Sequence, residues 1–371
     1  MNISFGKISL NLKAMQTFKE IPEFEQSFKT QSLECALKSP IGLPQIDKCV
    51  TPDDKVTIAI DPCILDRGFR LSALLSALAN AGIDESQVTI LLPCFASDLQ
   101  VAQLKEISEG CAICRHNSDD LLNKSIIGST RDGENVYLNR NLVEADFLII
   151  ACGTQQIDKE NSPASLISKG MSYFVPNGSQ RESLSLLGSP FLVMHVNGPT
   201  EAESHWVSGN MEAFRTARSL RRRFWTHHVF LAADLIILDL QNIRKPISFF
   251  ELVQLTSRMI SVLDNGGRIV LIGDQIIEET GFSHLASWVL PNPESYEVKR
   301  LSDPNIKAMR LWSTIITKAA VYLYQVLPFD ACEDLQANSI SNINEIQRLI
   351  EISNHILLIR NPFMCVLKQS W

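Results

Sequence analysis

Residues 135–156, NVYLNRNLVEADFLIIACGTQQ, constrain this chain more than any other stretch. They read as a strand, a polar helical turn, and an apolar run over 147–152 closed by Gly153. A run so short and so apolar fits a strand covered on both faces, which places it inside a parallel sheet. Glycine then lets the backbone turn sharply at the strand's carboxyl end. In open α/β sheets ligands bind at that end, so the residues after Gly153 are expected at a cleft.

The flanking sequence repeats the pattern. Residues 55–60 form a buried strand ending at Asp61, and the loop 62–69 leads into a helix with apolar positions Leu71, Leu74, Leu75 and Leu78. Gly82 ends that helix and 87–92 supplies the next strand, giving a βαβ unit. The loop 93–96 again follows a strand's carboxyl end. A helix over 99–110, a short strand over 111–115 and a polar loop over 116–120 come next. Upstream, residues 3–12 alternate as an edge strand or hairpin, and 13–35 offer one amphipathic helix. Residues 211–228 read as a single long helix bearing Arg215, Arg218, Arg221, Arg222 and Arg223. A solvated linking helix explains that run better than an anion site.

A second α/β pattern follows. It comprises strands over 233–238 and 268–272, a helix over 248–263, further helices over 312–327 and 342–353, and a last strand over 355–359. That last strand and the tail over 363–367 are expected to return to the first domain. The fold class is therefore α/β, with two domains joined by hinge helices, each holding a largely parallel sheet flanked by helices. The expected boundaries are 1–210 with the tail 354–371 for the first domain, 211–228 for the hinge and 229–353 for the second.

At 371 residues the chain suits two domains, and it can bury about 75% of its unfolded surface without metal or disulfide staples. A net charge of −7 argues against a general nucleic-acid binder. No run approaches the roughly 18 apolar residues of a membrane span, and the first twenty residues lack a signal-peptide core. A cytoplasmic protein is expected. Its nine cysteines are scattered, mostly in apolar runs, and read as reduced and buried.

The motifs that carry chemistry are mostly missing. There is no G-x-G-x-x-G, no phosphate loop of the G-x-x-x-x-G-K type, no G-x-S-x-G elbow and no H-E-x-x-H. Cys111 and Cys114 form a C-x-x-C with His116 close behind, but a structural zinc needs four ligands and no second pair matches. His195 sits inside an apolar strand and reads as a satisfied core residue. His116 opens a polar loop after a strand, which makes it the histidine best placed for a cleft. With Asp61 and Arg67 it forms the candidate set for any chemistry of the chain's own.

The order of SPIGLPQIDKCVTPDDKVTIAID, NVYLNRNLVEADFLIIACG, AADLIILDL and LDNGGRIVLI resembles the nickel-pincer lactate racemase family, from the opening ISFGK to the helix holding Trp312. The resemblance implies two α/β domains with the active site in the cleft between them. It also implies a pyridinium mononucleotide bonded to a lysine and holding nickel through two sulfurs and a ring carbon. A histidine completes the nickel coordination and a histidine pair moves the substrate proton.

Residue by residue, those groups are exchanged here. After the first strand Asp61 is kept, but Cys63 and Ile64 stand at the Thr and Arg positions of the family's Asp-x-Thr-Arg motif. Phe95 stands for a catalytic histidine, and Gln155 and Gln156 lie near another. Ser172 aligns with the cofactor-bearing lysine, Lys169 being three residues early. SLSLLG has no nickel-binding histidine. Glu251 and Gln254 replace a Gln-x-x-Lys pair, and Trp312 matches a tryptophan near the cofactor. Losing a general base costs roughly 10²–10⁴-fold, and losing the tether and metal ligand removes the chemistry itself.

The expectation is a racemase-like scaffold without tethered cofactor or metal, binding a small molecule or partner in the cleft, with oligomeric state open. The alternative is an active nickel-dependent racemase or epimerase of a 2-hydroxy acid, using the nickel-pincer nucleotide with rearranged residues.

Overall fold

The structure is a computed structural model that describes residues 2–5, 8–11, 17–21, 30–67, 69–108, 110–154, 162–176, 178–198, 204–241, 247–273 and 304–370. The chain opens with β1 (Asn2–Phe5), β2 (Ile8–Asn11), β3 (Thr17–Ile21) and α1 (Leu33–Lys38). Next come β4 (Val56–Ile60), α2 (Leu71–Asn80), β5 (Val88–Leu92), α3 (Asp98–Ile107) and β6 (Ala112–Arg115). β7 (Lys124–Ser129) and β8 (Asn135–Asn139) lead through the single turn α4 (Arg140–Val143) into β9 (Phe147–Gly153). They are followed by α5 (Pro163–Gly170), β10 (Ser172–Phe174), α6 (Gln180–Leu186), β11 (Phe191–Asn197), β12 (Ser204–Gly209) and α7 (Met211–Trp225). The remainder begins with β13 (Thr226–Val229), β14 (Ala233–Asp239), α8 (Phe249–Met259), β15 (Leu263–Ile272) and α9 (Pro304–Lys318). It ends with β16 (Ala320–Tyr324), α10 (Phe329–Asp334), β17 (Asn338–Ile340), α11 (Ile343–Glu351), β18 (His355–Arg360) and β19 (Val366–Gln369).

Two compact units result, 24–224 and 1–23 with 225–371, and the division falls within α7. In the 24–224 unit six strands run in the order β12-β11-β9-β4-β5-β6. All pairings are parallel except β11 with β12. Every residue of β4 is buried, as the apolar run requires of a strand covered on both faces. Alternate residues feed two cores. Ile58, Ile60, Ile90, Ile149 and Ala151 pack with Leu71, Leu74, Leu75 and Leu78 of α2. Ala59, Leu91, Ile150 and Cys152 pack on the other face with Leu166 and Ile167 of α5. A small antiparallel sheet, β10-β8-β7, is attached to this unit.

In the other unit the six-stranded sheet is parallel throughout, in the order β17-β16-β15-β14-β18-β3. The hairpin β1–β2 is antiparallel, and β13 pairs in parallel with β19. Ser248 and Glu251 close a reciprocal capping box at the start of α8.

Four expectations change. Within 13–35, residues 17–21 form a strand, because the apolar run of β18 has a free edge that β3 fills. The helix expected over 312–327 ends at Lys318, since Val321 and Leu323 are buried and their neighbours half-buried, the period of a strand. The helix expected over 211–228 ends at Trp225, where residues 226–229 pair with β19. The C-terminal stretch does not join the sheet of the 24–224 unit: β18 lies between β14 and β3. Its backbone donors and acceptors are satisfied there on both sides.

Candidate functional site

Strand order marks a reversal point in the 24–224 unit. From β4 the chain moves outward through β5 to β6, then returns with β9 on the other side of β4. Open α/β sheets bind ligands at the carboxyl ends of the strands beside such a reversal. Asp61, directly after β4, donates its backbone N–H to the Ala151 carbonyl at 2.8 Å. Its Oδ1 accepts the Cys63 N–H at 3.0 Å, which fixes the turn leading out of the strand.

Two cysteines interact with the Asp61 carboxylate, Cys63 and Cys152. Burial pushes the Cys63 thiol well above its ordinary range, the Asp61 carboxylate and Cys152 add to the rise, and a Gly153 hydrogen bond opposes it. Burial, and then Asp61, does the same to Cys152. Both thiols are therefore protonated near neutral pH and are poor nucleophiles. Thr154, just past β9, donates through its N–H (2.9 Å) and its Oγ1 (3.0 Å) to the His195 carbonyl. Ile64 is fully buried in the core beside α2. The Arg67 side chain, Gln155 and Gln156 lie outside the described residues.

The next strand ends carry other roles. Phe95 is 61% exposed, in a loop anchored by a Cys94 N–H bond of 2.9 Å to the Gly170 carbonyl. A Cβ on Gly170 would lie 2.5 Å from the Pro93 Cβ, so the loop and the end of α5 meet where only glycine fits.

His116 follows β6 and is buried. Its Nε2 lies 3.1 Å from the Ser172 carbonyl, and its Nδ1 lies 3.2 Å from the Asn139 amide nitrogen. A carbonyl only accepts, so Nε2 carries the proton. Asn139 Oδ1 is held by the Asn141 N–H, so the amide presents its NH₂ to Nδ1. The neutral imidazole is thus fully bonded, with Tyr173 edge-on at 4.8 Å. Burial lowers its pKa, opposed by the Ser172 carbonyl. The histidine chosen for its polar loop is a brace between β6, β8 and β10. His195 is buried, with Nε2 2.9 Å from Ser204 Oγ and its ring 4.6 Å from that of Trp206.

Ser172 donates its hydroxyl to the Ser168 carbonyl. Glu251 is the capping residue of α8, and Gln254 is half-buried one turn on. Trp312 is fully buried, with Nε1 bonded to the Leu335 carbonyl at 2.8 Å and its ring 5.8 Å from that of Phe249. Among the described residues no group of three His, Cys, Asp or Glu side chains could hold a metal ion. None of their helices is long and apolar enough to cross a membrane. Sequence reasoning missed a set in the other unit: Glu20, Asp239 and Arg360. The signal for Asp239 and Arg360 was a charged residue closing an apolar run, ADLIILD and HILLIR.

Comparison with known proteins agrees with this architecture. Residues 5–156 match the family model described as the lactate racemase N-terminal domain. The lactate racemase apoprotein from Thermoanaerobacterium thermosaccharolyticum superposes with a TM-score of 0.71 at 15% identity, over 100% of this chain and 99% of that one. A crystal structure of a protein from Thermotoga maritima gives a TM-score of 0.58 at 10% identity, over 91% of this chain and 98% of that one. No curated protein matches. Residues 5–156 are thus similar in sequence to that domain, and the chain is similar in fold to the racemase apoprotein.

Proposed function

We propose that this lactate racemase-like chain binds a small polar ligand at the carboxyl ends of β4 and β9 and carries no tethered nickel-pincer nucleotide. The observation that carries the reading is Ser172. It stands at the position that resembles the family's cofactor-bearing lysine, and its hydroxyl is given to the Ser168 carbonyl. A serine hydroxyl cannot form the amide that tethers the nucleotide. The other exchanged positions agree. Ile64, in place of a cation, is buried in the core, and Phe95, in place of a proton-transfer histidine, is an exposed hydrocarbon. The residues present do not fit the cofactor, and no proton-transfer step is derived through it. Among the described residues, the Asp61 carboxylate and the Cys63 and Cys152 thiols that it helps keep protonated are suited to hydrogen bonding.

The test is to make the protein alongside the enzymes that synthesise the cofactor, then measure intact mass, nickel content and lactate racemisation. An unmodified mass without stoichiometric nickel is expected. A covalent adduct with bound nickel, or turnover of lactate, would establish the active racemase or epimerase instead. Ligand binding is tested separately, by native mass spectrometry of the purified chain and of Asp61→Asn. A co-purified small molecule that is lost in the variant is the expected outcome.

A further inference from the structure

Helix α7 carries a charge pattern that its own fold does not use. Ala213 and Ala217 are buried in a core of the 24–224 unit, with Phe214, Leu220 and Phe224 packed against it. At 3.6 residues per turn, Arg215, Arg218 and Arg222 fall within about 60° of one another on the opposite side of the helix. All three are exposed, as is Arg223 beside them. At 1.5 Å per residue the line from Arg215 to Arg222 is about 10 Å long.

Among the described residues, none of these four guanidiniums has an ion pair or a hydrogen bond. The helix offers a single acid, Glu212 in its first turn. Exposure agrees with a solvated helix, but the absence of alternating sign does not. Like charges at i,i+3 and i,i+4 repel, as in Arg215–Arg218 and Arg218–Arg222, whereas a face that only meets water usually mixes the two signs. The chain as a whole carries −7, so positive charge is gathered on this face against the trend of the sequence. An anionic partner turns the repulsion into attraction.

Length and net charge select the partner. The guanidinium fork grips carboxylate and phosphate alike. An extended polyanion, such as a nucleic acid or an anionic membrane, reaches well beyond 10 Å and meets a chain of like charge. A short acidic segment does not. Carboxylates at i, i+3 and i+7 of a partner helix repeat with the same rise as the three arginines.

We propose that the exposed face of α7 docks a short acidic segment of a partner protein, with Arg215, Arg218 and Arg222 each taking a carboxylate. The proposal uses neither Asp61 nor a ligand at β4 and β9.

The experiment is fluorescence anisotropy of a labelled alanine-rich helical peptide with glutamates at i, i+3 and i+7, titrated with the full chain. Octathymidylate and phosphatidylglycerol vesicles serve as the competing anions. Saturable binding of the peptide that weakens with salt is expected. The double variant Arg218→Glu, Arg222→Glu should weaken it by about tenfold or more. Lys48→Glu with Lys105→Glu changes the net charge equally at exposed positions elsewhere in the same unit and should leave binding unchanged. All four substituted residues are exposed, and circular dichroism checks that both variants fold. No saturable binding, an equal loss in the two double variants, or tighter binding of octathymidylate or vesicles than of the peptide would overturn the proposal.

Discussion

The two six-stranded sheets share a topology and differ in chemistry. Each strand order reverses, at β4 in one and at β14 in the other, and each has an aspartate closing a fully or largely buried strand there, Asp61 after β4 and Asp239 ending β14. Beside Asp61 stand two thiols held protonated by burial. Beside Asp239 stands the Arg360 guanidinium, which also bonds Glu20. Sheet topology sets where a ligand binds, and the residues just past the strand ends set what kind. At the first reversal the position that resembles a family arginine holds Ile64, which has turned into the core.

Removing the cation at the second reversal breaks the comparison most severely. Arg360→Met removes the guanidinium that both Glu20 and the buried Asp239 approach. Stripping one partner from a buried pair costs about 3–5 kcal/mol, and the lower end applies because Arg360 is one-third exposed. Urea midpoints should show this loss, with much of it recovered by also changing Asp239→Asn. At the first reversal Asp61→Asn keeps an oxygen for the Cys63 N–H and should cost about 1 kcal/mol or less. Equal losses in Arg360→Met and Asp61→Asn would show that the charge difference is without energetic consequence.

The brace at His116 comes next. His116→Leu strands the Ser172 carbonyl and the Asn139 amide at a cost of about 2–3 kcal/mol. A pH dependence accompanies it. The folded-state pKa lies below the ordinary value of about 6.5, so between the two the unfolded chain binds more protons. The stabilisation is complete above about pH 6.5 and is lost as pH falls below it. Protonation also places an N–H at Nδ1 against the Asn139 NH₂. Urea midpoints at pH 5 and 8 should therefore differ less for His116→Leu than for the parent chain. An identical pH dependence would remove the neutral brace.

Gly170→Ala has a smaller effect. Its new methyl group meets the Pro93 ring at 2.5 Å, and the shift required should cost about 1–3 kcal/mol, read as a lowered Tm. No change in Tm would mean that the loop 93–96 yields freely.

The parallel sheets were legible because runs such as VTIAI and FLIIACG are too apolar and too short for anything but covered strands. The resemblance, carried by the order of such runs, fixed the two-part plan. The partners at the strand ends were not legible, because they are set by pairings across hundreds of residues. Glu20 and Arg360 are 340 positions apart and become neighbours only when β3 docks on β18. The swap of β18 between sheets follows from the same fact: HILLIR is apolar enough for either sheet, and local pattern does not choose between them. His116 shows the converse error. A polar loop marks a strand end, but whether its histidine faces solvent depends on β8 and β10, which supply both hydrogen-bond partners.

The smallest effect probes the Asp61 turn without unfolding anything. Burial and then the Asp61 carboxylate keep Cys63 protonated, and alkylation proceeds through the thiolate. Iodoacetamide at pH 8 should therefore label the exposed Cys35 and Cys94 well before Cys63 and the buried Cys152, as read by peptide mass mapping over time. Asp61→Asn removes one of the two main causes and leaves burial, so Cys63 should label severalfold faster while Cys35 is unchanged. If Cys63 in the parent chain were labelled as fast as Cys35, the Asp61 turn would hold a reactive thiolate beside a carboxylate. It would then be a centre for nucleophilic chemistry, and the contrast with the ion-paired Asp239 would be one of reactivity as well as charge.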